Sequence, residues 1–151
     1  MLWPWVRQER TQGQVVDLVT DIVVKPSRKN DWVEMIDYHI VLAGTDCEVG
    51  ECDLRVGMNE ELYYAGNIGY RIYERYRGHH LAYEACLLLF SLAKEKYAMK
   101  ELIITCSPDN IASEKTLIRL GGTLEDVVDV PKEHWLYERG ETKKCIFHYD
   151  L

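Results

Sequence analysis

The sequence predicts an α/β (α+β) fold, a mixed and mostly antiparallel central sheet with flanking helices. Three observations carry that expectation. From Trp32 the apolar residues alternate with a period of two, with Ile36, Tyr38, Ile40 and Leu42 on one face and Asp37 and His39 on the other. After Gly78 the period lengthens to helical spacing, through Leu81, Ala82, Ala85, Leu88, Leu89 and Leu92. The run from Glu101 to Cys106 is then short and almost unbroken in its apolar character, as in a strand buried on both faces.

The elements follow in order. Val15 to Val24 is apolar-rich and supplies a first strand, and Lys25-Pro26-Ser27-Arg28-Lys29-Asn30 reads as a loop. The alternating strand from Trp32 ends at the turn Ala43-Gly44-Thr45-Asp46. Cys52, Leu54 and Val56 alternate with Glu51, Asp53 and Arg55, which completes a hairpin. A further strand is expected from about Leu62 to Tyr73, giving three antiparallel strands in a row. A helix then runs to about Tyr97. Ser107-Pro108-Asp109-Asn110 breaks the apolar strand, and a second helix covers about Ile111 to Leu120 before Gly121-Gly122 stops it. Thr123 to Val130 and Lys143 to Tyr149 are two final strands, joined by a loop through Pro131 and Gly140. The order places a strand–helix–strand crossover near the middle of the sheet.

A length of 151 residues suits one domain spanning residues 1–151. The five cysteines are odd in number and show no CxxC or Cys/His spacing, so free thiols and a reducing compartment are expected. No stretch reaches the roughly 20 apolar residues of a membrane helix. Met1-Leu2-Trp3-Pro4-Trp5 has no charged leader before an apolar run, so a cytoplasmic location is expected. The net charge of −7 argues against general nucleic-acid binding. It suits a cationic acceptor such as an amine, although solubility alone also accounts for it.

The junction from Ile72 to Ala82 carries the chemistry. A strand gives way to a helix across Arg75-Tyr76-Arg77-Gly78-His79-His80. The first turn of a helix exposes backbone N–H groups without intrahelical partners, and these together with the helix dipole attract an anion such as a pyrophosphate. Gly78 has no Cβ to hold a phosphate away from the backbone. Arg71, Arg75 and Arg77 reverse the sign of charge locally in an acidic chain. A Walker-type loop is excluded because GxxxxGK[ST] is absent, and a Rossmann fingerprint because the three spaced glycines are missing. Taken alone, the turn is equally well a glycine turn among surface arginines.

Ile68-Gly69-Tyr70-Arg71-Ile72, Tyr76-Arg77-Gly78-His79-His80-Leu81-Ala82 and Glu84-Ala85 together resemble the acetyl-CoA-binding motif of the GNAT N-acetyltransferases, in particular the branch that includes ribosomal-protein N-acetyltransferases. In the family pattern of Gln or Arg, two residues, Gly, one residue, then Gly or Ala, Arg75 and Gly78 match while His80 departs. Asp109-Asn110-Ile111-Ala112-Ser113-Glu114-Lys115, ending in Leu120-Gly121-Gly122, resembles the next motif of the family. There the Asn and Ser face the pantetheine arm of the cofactor. Independently of the resemblance, Asn110 is placed to cap its helix, and Ser113 lies one turn on and faces the same way.

The resemblance implies a GNAT-type fold with a splayed cofactor cleft, opening between the strands that end near Ile72 and Cys106. It implies acetyl-CoA as co-substrate, no metal, and direct transfer of the acetyl group to a small-molecule or peptide amine. It allows a homodimer, and implies neither nucleic acid nor membrane as partner. The cofactor residues it points to are Ile72, Tyr73, Arg75, Arg77, Gly78, His79, His80, Leu81, Ala82, Asn110 and Ser113. Backbone N–H groups near Ile72 would polarise the thioester carbonyl. The tyrosine that many relatives use to protonate the thiolate falls here at Leu117, so Ser113 is the first alternative, with Tyr137 and Tyr149 behind it and Asn110 assisting. Glu51 and Glu34 are candidate bases. His79 and His80 are not a metal pair, since adjacent helical residues diverge by about 100°. Cys106 has no partner base and reads as a buried structural thiol. A non-catalytic acyl-CoA sensor on the same fold stays open because of His80 and Leu117. The paired motifs argue against a purely structural module. A sugar-phosphate aldolase barrel is excluded by length, since it needs roughly 200 residues or more.

Overall fold

The computed structural model describes residues 9–28 and 33–151. Met1–Trp5, Lys29, Asn30 and the expected strand start at Trp32 lie outside the described residues. The strands are β1 (Arg10–Thr11), β2 (Val16–Val24), β3 (Glu34–Leu42), β4 (Glu48–Val56), β5 (Ile68–Ile72), β6 (Glu101–Cys106), β7 (Thr123–Asp129) and β8 (Lys143–Asp150). The helices are α1 (Glu60–Ala65), α2 (Leu81–Glu95), α3 (Ile111–Arg119) and α4 (Trp135–Glu138), with a 3₁₀ turn at Glu74–Tyr76. β1 to β5 form an antiparallel sheet in chain order, and β6, β8 and β7 form a second sheet with β8 in the middle.

The expected strand from Leu62 to Tyr73 is split. Its first part is helix α1, because the Asn59 side chain accepts the Leu62 N–H at 2.8 Å and so caps a helical turn. Gly66, at φ 82°, then turns the chain into β5. The expected loop before the last strand contains the one-turn helix α4, capped by the His134 ring, which accepts the Leu136 N–H at 3.1 Å.

Leu18, Ile36, Tyr38, Ile40, Cys52 and Leu54 on the five-stranded sheet meet Leu81, Ala85, Cys86, Leu89 and Ala93 of α2 in the core. The alternating partners on β3 to β5 (Asp37, His39, Glu51, Asp53 and Arg71) therefore lie on the opposite face. All five cysteines are free, and no described helix is long and apolar enough to cross a membrane.

The two sheets join at one point and splay from it. The Asn67 N–H donates to the Ile103 carbonyl (2.8 Å), and Asn67 Oδ1 accepts the Ile103 N–H (2.9 Å). Asn67 Nδ2 donates to the carbonyls of Arg55 (2.9 Å) and Gly57 (2.7 Å). Asn67 is fully buried, so each bond satisfies a backbone group that water does not reach. Asn67→Ala is expected to cost about 3 kcal/mol, because it strands three buried backbone groups at about 1 kcal/mol or more each. Urea unfolding measures this, and a loss within about 0.5 kcal/mol would show that the junction is held by packing instead.

Candidate functional site

Beyond Asn67, β5 and β6 diverge and leave a cleft of about 590 Å³ between β5, the 3₁₀ turn, the start of α2 and the exposed side of α3. Odd-numbered residues along β5 and its flanks face β4: the Tyr73 N–H donates to the Val49 carbonyl at 2.9 Å, and the Asn67 carbonyl accepts the Arg55 N–H at 2.7 Å. In an antiparallel edge strand the even-numbered residues then turn their backbone groups the other way. Tyr70 and Ile72 accordingly present their N–H groups to the cleft. In keeping with this, the Ile72 carbonyl is bonded not by β4 but by Arg77 Nε, at 3.0 Å.

The turn into α2 is built on two positive φ angles, 87° at Gly78 and 58° at His80. His80 is the N-cap of α2 yet makes no side-chain cap bond, so the first-turn N–H groups have no side-chain acceptor there. A left-handed conformation at a residue with a Cβ costs about 1 kcal/mol, which explains why a small residue is usual there. At α3 the cap is made: Asn110 Oδ1 accepts the Ser113 N–H at 3.1 Å.

Four cations line the cleft (Arg77, Lys115, Arg119 and, at its edge, Arg71, which pairs with Glu51 of the opposite face), and no Asp or Glu is among the described residues that line it. In a chain of net charge −7 that is a concentrated reversal of sign. Lys115 and Arg119 are i, i+4 neighbours on α3, and Arg119 stacks over the Tyr83 ring at 4.5 Å. This spacing was readable in the sequence, but the motif drew attention only to Asn110 and Ser113.

Of the residues predicted to hold a cofactor, Ile72, Arg77, Gly78, His80, Leu81, Ala82, Asn110 and Ser113 line the cleft. Tyr73, Arg75 and His79 are not among the lining residues. The Tyr73 hydroxyl donates to Glu48 at 2.6 Å, and Arg75 lies over the Tyr76 ring. Tyr137 sits on α4 and is not brought to the cleft. Tyr149 is buried and committed, donating its hydroxyl to the Leu117 carbonyl at 2.7 Å, and Leu117 itself is in the core. Glu51 pairs with Arg71, and Glu34 with Lys25. Burial pushes the Cys106 thiol up to about 12, which keeps it an unreactive thiol.

Two residues were missed, one in the cleft and one on the opposite face of the sheet. Tyr70 reads as one apolar member of the alternation Ile68, Tyr70, Ile72, but its hydroxyl crosses the splay and lies 2.7 Å from Ser113 Oγ. It lines both the cleft and a second cavity of about 290 Å³ behind it, which Asn110 and Ser113 share. Asp53 stands opposite Gly69 on the face away from α2. A Cβ at position 69 would come within 2.5 Å of Asp53 Oδ1, so the glycine is what allows the carboxylate to lean over β5. Burial, opposed by the ion pair with Arg55 at 2.8 Å and reinforced by nearby Asp37, raises Asp53 to about 6. Asp53 lines an open depression of about 360 Å³ that shares Gly69 and Tyr70 with the cavity behind the cleft.

The family model of the acetyltransferase (GNAT) domain matches residues 1–123. Among solved structures, the ribosomal L7/L12 α-N-protein acetyltransferase RimL in its apo form superposes with a TM-score of 0.67 at 13% identity, covering 100% of this chain and 99% of RimL. The ribosomal-protein-S5-alanine acetyltransferase from Vibrio fischeri gives 0.62 at 17% identity, with 77% and 61% covered. The microcin C7 self-immunity acetyltransferase MccE, crystallised with acetyl-CoA and AMP, gives 0.56 at 20% identity, with 78% and 61% covered. Other solved relatives are longer too, and the chain spans 60 to 65% of their length. No curated protein matches. At these identities the structural likeness shows the fold, and the family model, over most of the chain, shows the family. The splayed sheet, the cation-lined cleft at a helix N-terminus and the domain match agree: the chain belongs to the GNAT acetyltransferases.

Proposed function

We propose that this chain transfers an acetyl group from acetyl-CoA directly to an amine. The observation that carries the reading is the cleft itself, a cavity lined by four cations and no described acid, at the uncapped N-terminus of α2 in a chain of net charge −7. The pyrophosphate lies on Gly78, His80 and the first turn of α2, with Arg77 beside it. Ile72, Leu81 and Ala82 line its path, and Asn110 and Ser113 face the pantetheine arm. Tyr73, Arg75 and His79 act on the far side of the turn, shaping it. Backbone N–H groups of β5 polarise the thioester carbonyl. The amine approaches from the face away from α2, and Asp53 takes its proton directly or through one water. The acceptor is a peptide or small-molecule amine.

Calorimetry with acetyl-CoA, followed by an acetylation screen over peptide N-termini, lysines, polyamines and amino sugars, tests this. The expected outcome is micromolar binding with turnover on one amine class. Binding without turnover on any class would favour the sensor reading, and no binding would remove the cofactor assignment.

A further inference from the structure

The departing CoA thiolate needs a proton, and the position that many relatives use for the donor is Leu117, which is fully buried. Its backbone carbonyl is already taken by Tyr149. Tyr149 in turn is held by that bond, and Tyr137 does not reach the cleft. Among the described residues three tyrosines line the cleft: the Tyr76 hydroxyl is paired with Cys47 Sγ at 3.5 Å and the Tyr83 ring lies under Arg119, which leaves Tyr70. Tyr70 comes from β5, the strand whose even-numbered N–H groups face the cleft, and reaches Ser113 on α3 at 2.7 Å. It is shared by the cleft and the cavity behind it, so it stands where the donor and acceptor sides meet. Ser113 is solvent-accessible from the cleft and completes a two-hydroxyl path from the interior outwards.

Resting on the acetyltransferase reading, we propose that Tyr70 is the catalytic proton donor to the thiolate, with Ser113 as the positioning residue that returns a proton to it. The amine nitrogen forms its bond to the thioester carbon. The C–S bond breaks, and its electron pair stays on sulfur. Sulfur takes the Tyr70 hydroxyl proton, and the phenolate recovers one through the Ser113 hydroxyl from water in the cleft. The amine proton leaves on the opposite face, so the reaction conserves protons overall. Burial pushes the Tyr70 hydroxyl up to about 12, so it keeps its proton throughout the neutral range and serves as donor rather than base. The strand thus supplies from β5 what a helix supplies in many relatives, because the Tyr70 side chain, on the α2 face of the sheet, is long enough to reach Ser113 on α3.

The test uses the full chain with acetyl-CoA and hydroxylamine, a nucleophile small enough to need no acceptor pocket, and follows release of the free thiol. Tyr70→Phe keeps the ring and removes the hydroxyl. It is expected to bind acetyl-CoA within about threefold of the parent in calorimetry. Its kcat should fall about 100-fold, the low end for loss of a general acid. The parent should react about twofold slower in D₂O in single turnover, and Tyr70→Phe should lose that isotope effect. Ser113→Ala, which leaves Tyr70 in place, should fall about tenfold and keep it. A Tyr70→Phe enzyme with parental kcat, or one that is slow but keeps the isotope effect, would overturn the assignment. So would a parent that binds acetyl-CoA yet never releases thiol faster than buffer. Failure of the parent to bind acetyl-CoA at all would instead overturn the acetyltransferase reading beneath it.

Discussion

Gly78→Val is expected to weaken acetyl-CoA binding by at least about 1000-fold, roughly 4 kcal/mol, while the free protein still folds. The two effects separate because of what surrounds the glycine. A Cβ built on Gly78 meets nothing within 4 Å, so the free chain has room for a side chain. The cost to folding is that of φ 87° in a β-branched residue, about 2 kcal/mol. The open space beside Gly78 is where a pyrophosphate would approach the α2 N–H groups. A valine there holds the phosphates off by more than a hydrogen-bond length. Calorimetry measures the affinity, and a thermal melt the folding. A variant that folds and binds within tenfold of the parent would put the pyrophosphate elsewhere. Gly78→Ala should fall between the two, since one methyl group carries most of the strain but only part of the obstruction.

The sequence revealed the parts of this site that depend on local periodicity. α2 begins at Leu81 as expected, since the switch from period two to helical spacing is sharp after Gly78. Asn110 caps α3 as its residue type predicts. The failures lie where local pattern and tertiary placement part. Leu62, Tyr63 and Tyr64 have strand-like composition, but Asn59 caps a helix there, accepting the Leu62 N–H with its side chain and the Tyr63 N–H with its carbonyl. β1 is two residues long and gains its identity only from pairing with β2. Tyr70 was hidden by its regularity, because an alternating aromatic looks like core until the facing strand departs. Asp53 was hidden among Glu51, Asp53 and Arg55, three charges that look like one solvated face. What distinguishes it is the glycine opposite on β5, a cross-strand fact that needs the register between two segments.

That glycine sets up the second large effect, in Asp53→Asn, which is expected to lower kcat about 1000-fold and at the same time stabilise the fold. As a general base, Asp53 must be ionised, so parental activity should rise through about pH 6 and level off above it. The amide of the variant cannot accept the proton, and the residual rate should no longer follow that limb. Stability moves the other way. A carboxyl whose folded value is raised binds its proton more tightly folded than unfolded, so its ionisation works against the fold. The cost is absent below about pH 4, develops between there and pH 6, and is full at neutral pH. At about 1.4 kcal/mol per unit, a rise from 3.8 to about 6 corresponds to roughly 3 kcal/mol. The ion pair with Arg55 is already contained in that net shift, so the amide, which stands in for the protonated carboxyl, is expected to gain up to roughly 3 kcal/mol at pH 7 and nothing at pH 4. Thermal melts at the two pH values, beside a pH–rate profile, read both halves. A variant that is slower and also less stable at pH 7 would make Asp53 a structural partner of Arg55. A variant with unchanged kcat would leave the amine to lose its proton to water alone. Only a carboxylate held at the acceptor face for its basicity predicts the combination, since it is destabilising in the resting fold for the same reason that it can accept a proton near neutrality.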